Sequence, residues 1–163
     1  MLNVVLIEPE IPQNAGNIVR TCAATNTKLY MVRPLGFELS DKYYKRAGMD
    51  YFDFSVIEVV DSFETIYEKN KDKQFYFAST KSQHTYTEVT YPEDCFIVFG
   101  KESFGIRESL LKQHYQDCIR IPMQEGARSL NLANSVAIIV YEALRQNNFA
   151  NLKEYGELTG RVD

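Results

Sequence analysis

The chain has 163 residues, 45% of them hydrophobic and 25% charged, and carries a net charge of −4. That length and balance suit one globular domain able to bury roughly two-thirds of its unfolded surface. The opening Met-Leu-Asn-Val-Val-Leu-Ile lacks the basic start and the length of a signal peptide, and no run approaches the roughly 18 apolar residues of a membrane span. A cytoplasmic protein without membrane contact is therefore expected.

The negative charge says little against nucleic acid, because it is unevenly spread. Residues 1 to 48 hold six basic and four acidic side chains, whereas residues 50 to 72 hold two basic and seven acidic. Polyanion binding needs a basic face rather than a basic protein. Cys22, Cys95 and Cys118 are odd in number, widely spaced and set in apolar stretches, as reduced core thiols would be. Neither they nor His84 and His114 show metal-ligand spacing, and no metal is expected.

Leu2 to Ile7 reads as a buried strand, stopped by Glu8-Pro9. A helix follows, with Asn14 as a plausible N-cap, Ile18 and Cys22 on its inner face, and Asn26 as its stop. Lys28 to Val32 is a second strand. Asp41 then caps a helix through Tyr43, Tyr44, Lys45 and Arg46, where aromatics alternate with positive charge as in RNA-contacting segments; core packing by the tyrosines explains them nearly as well. Val56 to Val60 is a third strand, and Asp61 caps an amphipathic helix holding Phe63, Ile66 and Tyr67. Gln74 to Ala78 is a fourth strand, followed by a polar loop and a short edge segment over Tyr86 to Tyr91. Cys95 to Phe99 is another strand, Ile106 to Tyr115 a helix and Cys118 to Ile121 the last strand. From Leu132 to Leu144, 10 of 13 positions are apolar, so the closing helix is buried on several sides. Ser129 or Asn131 caps it. The polar tail from residue 150 to 163 is expected to be loosely held.

Short apolar strands alternating with helices define an α/β fold with a mainly parallel sheet and helices on both faces. Ligands in such sheets bind beyond the carboxyl ends of the strands. That brings together Ala78-Ser79-Thr80, the Gly100 to Gly105 loop and the stretch from Ile121 to Ser129. Phe99-Gly-Lys-Glu-Ser-Phe-Gly105 follows a strand but lacks the Lys-Ser/Thr of a phosphate loop, and Gly-x-Gly-x-x-Gly is absent. No Ser-His-Asp or Cys-His arrangement occurs, and both histidines read as surface residues. Arg20 and Arg128 are each open to two readings, as solvated charges or as ligand contacts. From residue chemistry alone the protein is an α/β ligand-binding domain.

Three blocks carry a resemblance that goes further: Glu8-Pro-Glu-Ile-Pro-Gln-Asn-Ala-Gly-Asn-Ile-Val-Arg20, Val98-Phe-Gly-Lys-Glu-Ser-Phe-Gly-Ile106, and Arg120-Ile-Pro-Met123 with Arg128-Ser-Leu-Asn-Leu-Ala-Asn-Ser-Val-Ala137. In this order, together with the Arg-Ala-Gly-Met-Asp-Tyr block at 46 to 51, they resemble the motifs of SPOUT-class RNA 2′-O-ribose methyltransferases. The likeness is nearest to the minimal bacterial members that modify the tRNA wobble nucleotide, cytidine or uridine 34, although Lys101 stands where those carry proline. The resemblance implies one domain over residues 1–163, a deep C-terminal trefoil knot over about 75–150, and S-adenosylmethionine as methyl donor. Cofactor-binding positions then fall on Ala78, Gly100, Ile121, Ser129 and Leu130, and catalytic positions on Arg20, Asn14, Glu102, Ser129 and Asn131. It also implies a homodimer in which Arg20 faces the partner's pocket, with the 132–146 helix and Tyr141 at the interface. Methylation of ribosomal RNA, or non-catalytic RNA binding on the same fold, are the alternatives. Arginine stays protonated in proteins, so Arg20 is expected to act as a clamp on phosphate and developing alkoxide rather than as a base.

Overall fold

The computed structural model describes residues 1–40 and 56–160. Among these residues six strands form one sheet in the order β3-β2-β1-β5-β4-β6, and every strand pairing in it is parallel. In chain order these are β1 (Asn3–Ile7), helix α1 (Pro12–Ala24), β2 (Lys28–Val32), β3 (Ile57–Val60), α2 (Phe63–Lys69), β4 (Phe75–Ala78), β5 (Phe96–Phe99), α3 (Glu108–Gln113), β6 (Cys118–Ile119) and α4 (Leu132–Gln146). The first three strands wind outward in one direction. The chain then crosses to the other side, so that β1 and β5, though far apart in sequence, lie side by side.

Alternation along each strand sends its residues to two cores, one on each face. Val4, Leu6, Leu29, Met31, Ile97, Phe99 and Ile119 meet Ile18 and Cys22 of α1 and Val136, Ile139 and Val140 of α4. Val5, Phe75, Phe77, Phe96, Val98 and Cys118 meet Phe63 and Ile66 of α2 and Leu111 of α3. The second core is aromatic: Phe75 stacks on Phe96 at 4.4 Å, and Phe63 sets its edge against Phe77. Helices on both faces of a parallel sheet are therefore present as expected. Among the described residues no helix is long and apolar enough to cross a membrane.

Several local expectations are corrected. Helix α1 starts with Pro12 after Ile11, without a side-chain cap, because proline presets the first-turn φ and has no N–H to satisfy. Asn14 lies inside its first turn and spends its side chain elsewhere. Ser62, not Asp61, caps α2, accepting from the Thr65 N–H at 3.2 Å, while Asp61 meets Arg33 at the surface. The last strand is two residues long. Arg120 instead bridges to the loop after β4, giving its N–H to the His84 carbonyl and accepting from the Tyr86 N–H. Residues 86 to 91 form no strand; Tyr91 is buried, and its hydroxyl donates to the Tyr86 carbonyl at 2.6 Å. Helix α3 is shorter than the pattern suggested, with a 3-10 turn at Tyr115–Asp117 finishing the segment.

His114 is half-buried rather than fully exposed, since its ring stacks on Phe77 at 4.6 Å and burial lowers its pKa. His84 is likewise half-buried. The three cysteines are free and buried, and burial raises the Cys22 and Cys95 thiols to about 12. From Lys153 to Gly160 the side chains are exposed and form no regular element. The helix expected at Asp41 to Gly48 and the 46–51 block lie outside the described residues.

Candidate active site

The sheet reverses its winding between β1 and β5, which is where an open parallel sheet leaves a crevice. The loop after β5 is a tight hairpin. The Gly105 N–H donates to the Lys101 carbonyl at 2.7 Å, and Gly105 turns the chain at φ +75°. The returning strand passes so close to Gly100 that a Cβ there would stand 2.0 Å from the Gly105 carbonyl carbon. Only glycine fits at the base of this turn.

Two carboxylates lock the hairpin to the start of α1, each reaching into the other's loop. Glu102 accepts from the Glu10 N–H at 2.8 Å, the Ile11 N–H at 3.1 Å and the Asn14 amide at 3.1 Å. Glu10 accepts from the Ser103 N–H at 2.9 Å and the Ser103 hydroxyl at 2.8 Å, and these bonds lower its pKa. Glu102 thereby holds the two backbone N–H groups just before α1 and the Asn14 side chain in its first turn, and its negative charge suits the helix's positive end. Behind this pair, Lys101 donates to Glu8 at 2.8 Å, and Arg107 reaches the other Glu8 oxygen at 3.3 Å.

The network continues into the third loop. The Asn14 Oδ1 accepts from the Asn131 side-chain amide at 2.9 Å, and the Asn131 Oδ1 accepts from the Asn134 N–H at 3.2 Å, capping α4. One polar chain, Glu102–Asn14–Asn131, therefore joins the hairpin, α1 and α4. Of the two candidate caps, Asn131 is the one used.

Between these loops lies a cavity of about 590 Å³, within the usual range of small-molecule sites. Ala78, Gly100, Ile121, Ser129 and Leu130 all line it, as do Asn14, Glu102 and Asn131. Its floor is apolar, with Phe99, Ile106, Ile119 and Ile139, and its rim carries Lys81, Arg120 and Arg128. Arg20 is not among the lining residues. It sits on the exposed flank of α1, beyond Asn14 and Asn17. Glu10 and Ser103 were not expected here; their place after β1 and β5, which are neighbours in the sheet, is what brings them together. Among the described residues no cluster of three or more His, Cys, Asp or Glu could hold a metal ion.

An apolar floor, backbone-rich walls and one carboxylate already engaged by N–H donors suit a ligand bound by shape and backbone contacts rather than through phosphates. Residues 1–141 match the SpoU rRNA Methylase family, and the chain belongs to it. It is 50% identical over 155 residues, 93% of its length and 97% of the other's, to a Bacillus subtilis (strain 168) protein that bears the provisional name tRNA (cytidine(34)-2′-O)-methyltransferase. A solved structure described as giving insights into the 2-OH methylation of C/U34 on tRNA superposes with a TM-score of 0.82 at 40% identity, covering 91% of this chain and 97% of that one. An AdoMet-bound rRNA methyltransferase from Sinorhizobium meliloti gives 0.74 at 25% identity, covering 88% and 56%.

Proposed function

We propose that this protein transfers the methyl group of S-adenosylmethionine to the ribose 2′-hydroxyl of the wobble nucleotide of tRNA, acting in the cytoplasm as a homodimer. The observation that carries this reading is the convergence of three sequence-distant loops on one cavity, in a chain whose relatives bear names for that reaction. The residues present fit the methyl donor: apolar side chains and backbone for its adenosine, and no phosphate-binding loop. Ala78, Gly100, Ile121, Ser129 and Leu130 would hold it, largely through main-chain groups. When bound, it supplies an activated methyl on a sulfonium.

The chain's own task is to hold the ribose oxygen in line and relieve it of its proton, since orientation alone can supply much of the acceleration. Glu102, with both oxygens on protein N–H donors, and Asn14 and Asn131, bonded to each other, fix the loops at the cavity. Ser129 lies at the cavity wall, open to the reacting ribose. Arg20 is assigned to the acceptor strand, where its guanidinium would clamp a phosphate and stabilise the developing alkoxide while the proton leaves to a phosphate oxygen or water. Because Arg20 lies outside its own chain's cavity, it would serve the partner's. Ile138 and Tyr141, exposed on α4, suit the interface between the copies.

A trefoil knot over about 75–150 belongs to the same proposal. Its support is local: residues 118 to 120 run between β4 on one side and the segment 84–86 on the other, and α4 then returns to pack beside α1. Threading of this kind is a rare exception among folds.

The family's description favours a second substrate, ribosomal RNA. Labelled methyl transfer to tRNA and to ribosomal RNA in parallel separates the two, with incorporation expected in tRNA. Complementation tests the shared site. Arg20→Ala and Gly100→Ala chains, each inactive alone, should regain up to about one quarter of wild-type activity when co-expressed. No recovery in verified mixed dimers would place Arg20 in its own chain's site.

A further inference from the structure

Phe104 has no part in the scheme above, yet it lies at the mouth of the cavity with 64% of its surface exposed. The floor residues Phe99, Ile119 and Ile139 are all at most 2% exposed, so Phe104 stands apart from the apolar interior. Its loop is held on every side. The hairpin bond from Gly105 to Lys101 closes behind it, and the neighbouring Ser103 and Glu102 are tied to Glu10, Ile11 and Asn14. The ring is thus presented from a fixed backbone, which lowers the entropic cost of using it as a contact.

Arg120, Arg128 and Lys81, the last paired with Glu108 at 2.7 Å, line the same cavity. An aromatic face beside positive charge is how proteins hold single-stranded nucleic acid: bases stack on the ring while cations follow the backbone. We propose that Phe104 is a stacking platform for a nucleobase of the RNA substrate, next to the ribose that is methylated, and that it governs substrate affinity. This rests on the RNA-methylating function inferred above.

The test compares wild type with Phe104→Ala, Phe104→Leu and Phe104→Trp in steady-state methyl transfer to tRNA. S-adenosylmethionine affinity is measured by calorimetry, particle mass by light scattering and tRNA retention on filters. The Ala and Leu variants should raise KM for tRNA about 5- to 100-fold, with the effect falling on KM rather than kcat, while Trp stays within about twofold because it keeps a π face. An unchanged KM in the Ala variant, or a Leu variant equal to wild type, overturns stacking. A matching loss of cofactor affinity would give Phe104 to the cofactor, and an altered particle mass would give it to an interface between copies; either overturns the proposal. If wild type bound tRNA on filters without methylating it, the proposed function would fail while the retention series still decided Phe104. If wild type bound no RNA, both would fall.

Discussion

Glu102 shows how much a single side chain can organise. Its carboxylate meets three N–H donors from a segment more than 85 residues away in sequence, two of them backbone groups at the uncapped start of α1. Removing it leaves those donors to water or to nothing. Glu102→Ala should therefore cost about 1–3 kcal/mol of stability in urea unfolding, with Glu102→Gln intermediate because its amide retains one acceptor oxygen. An alanine variant as stable as wild type would show that these bonds contribute no net stability. Cys22 and Cys95 lie at the opposite extreme, as buried thiols that do not line the cavity. Their raised pKa has a clear sign: the folded state keeps protons that the unfolded chain gives up above pH 9. Their contribution is complete below about pH 9 and falls away as pH rises toward 12. Urea unfolding at pH 8 and pH 10.5 should show a smaller alkaline loss in the Cys22→Ala/Cys95→Ala double variant than in wild type; an equal loss would assign the alkaline sensitivity to other groups.

At the scale of elements, the hairpin from Gly100 to Gly105 leaves little room for change, and its two glycines differ in kind. A Cβ at Gly100 collides with backbone, whereas one at Gly105 meets nothing within 4 Å and suffers only from the φ of +75°. Gly105→Ala should cost about 1–2 kcal/mol. Gly100→Ala should cost about 3 kcal/mol or more and abolish cofactor binding in calorimetry; a Gly100→Ala protein that binds normally would mean the hairpin can open without consequence. The elements themselves were largely legible in the sequence, because strands such as Phe96–Phe99 are continuous apolar runs and α4 announces itself by composition. What was hidden depended on tertiary pairing. Nothing local to Pro12 or Asn14 reveals that the start of α1 is held by residue 102. Likewise, the half-burial of His114 follows from Phe77, whose place beside it is set by the sheet. Chain ends of elements moved for the same reason: Arg120 bonds to the 84–86 segment, so β6 stops two residues short of where its apolar pattern runs.

For the whole molecule, the strand order explains why three motifs scattered over more than a hundred residues form one site: β1 and β5 are neighbours at the reversal of winding, and α4 returns beside α1. Apart from Ala78, the candidate site residues stand in recognisable blocks of the sequence, and all but Arg20 line the cavity of a single chain. Arg20's position was beyond reach of sequence spacing, since a helix flank reads the same whether it faces solvent or a partner. A dimer that shares its sites would account for that outlying position and for the exposed Ile138 and Tyr141 together. The most direct measurement is to incubate total tRNA with the protein and labelled S-adenosylmethionine, digest with nucleases and map the modified ribose. The account predicts label confined to the 2′-oxygen of nucleotide 34. Label at another position, on a base, or only in ribosomal RNA would contradict it.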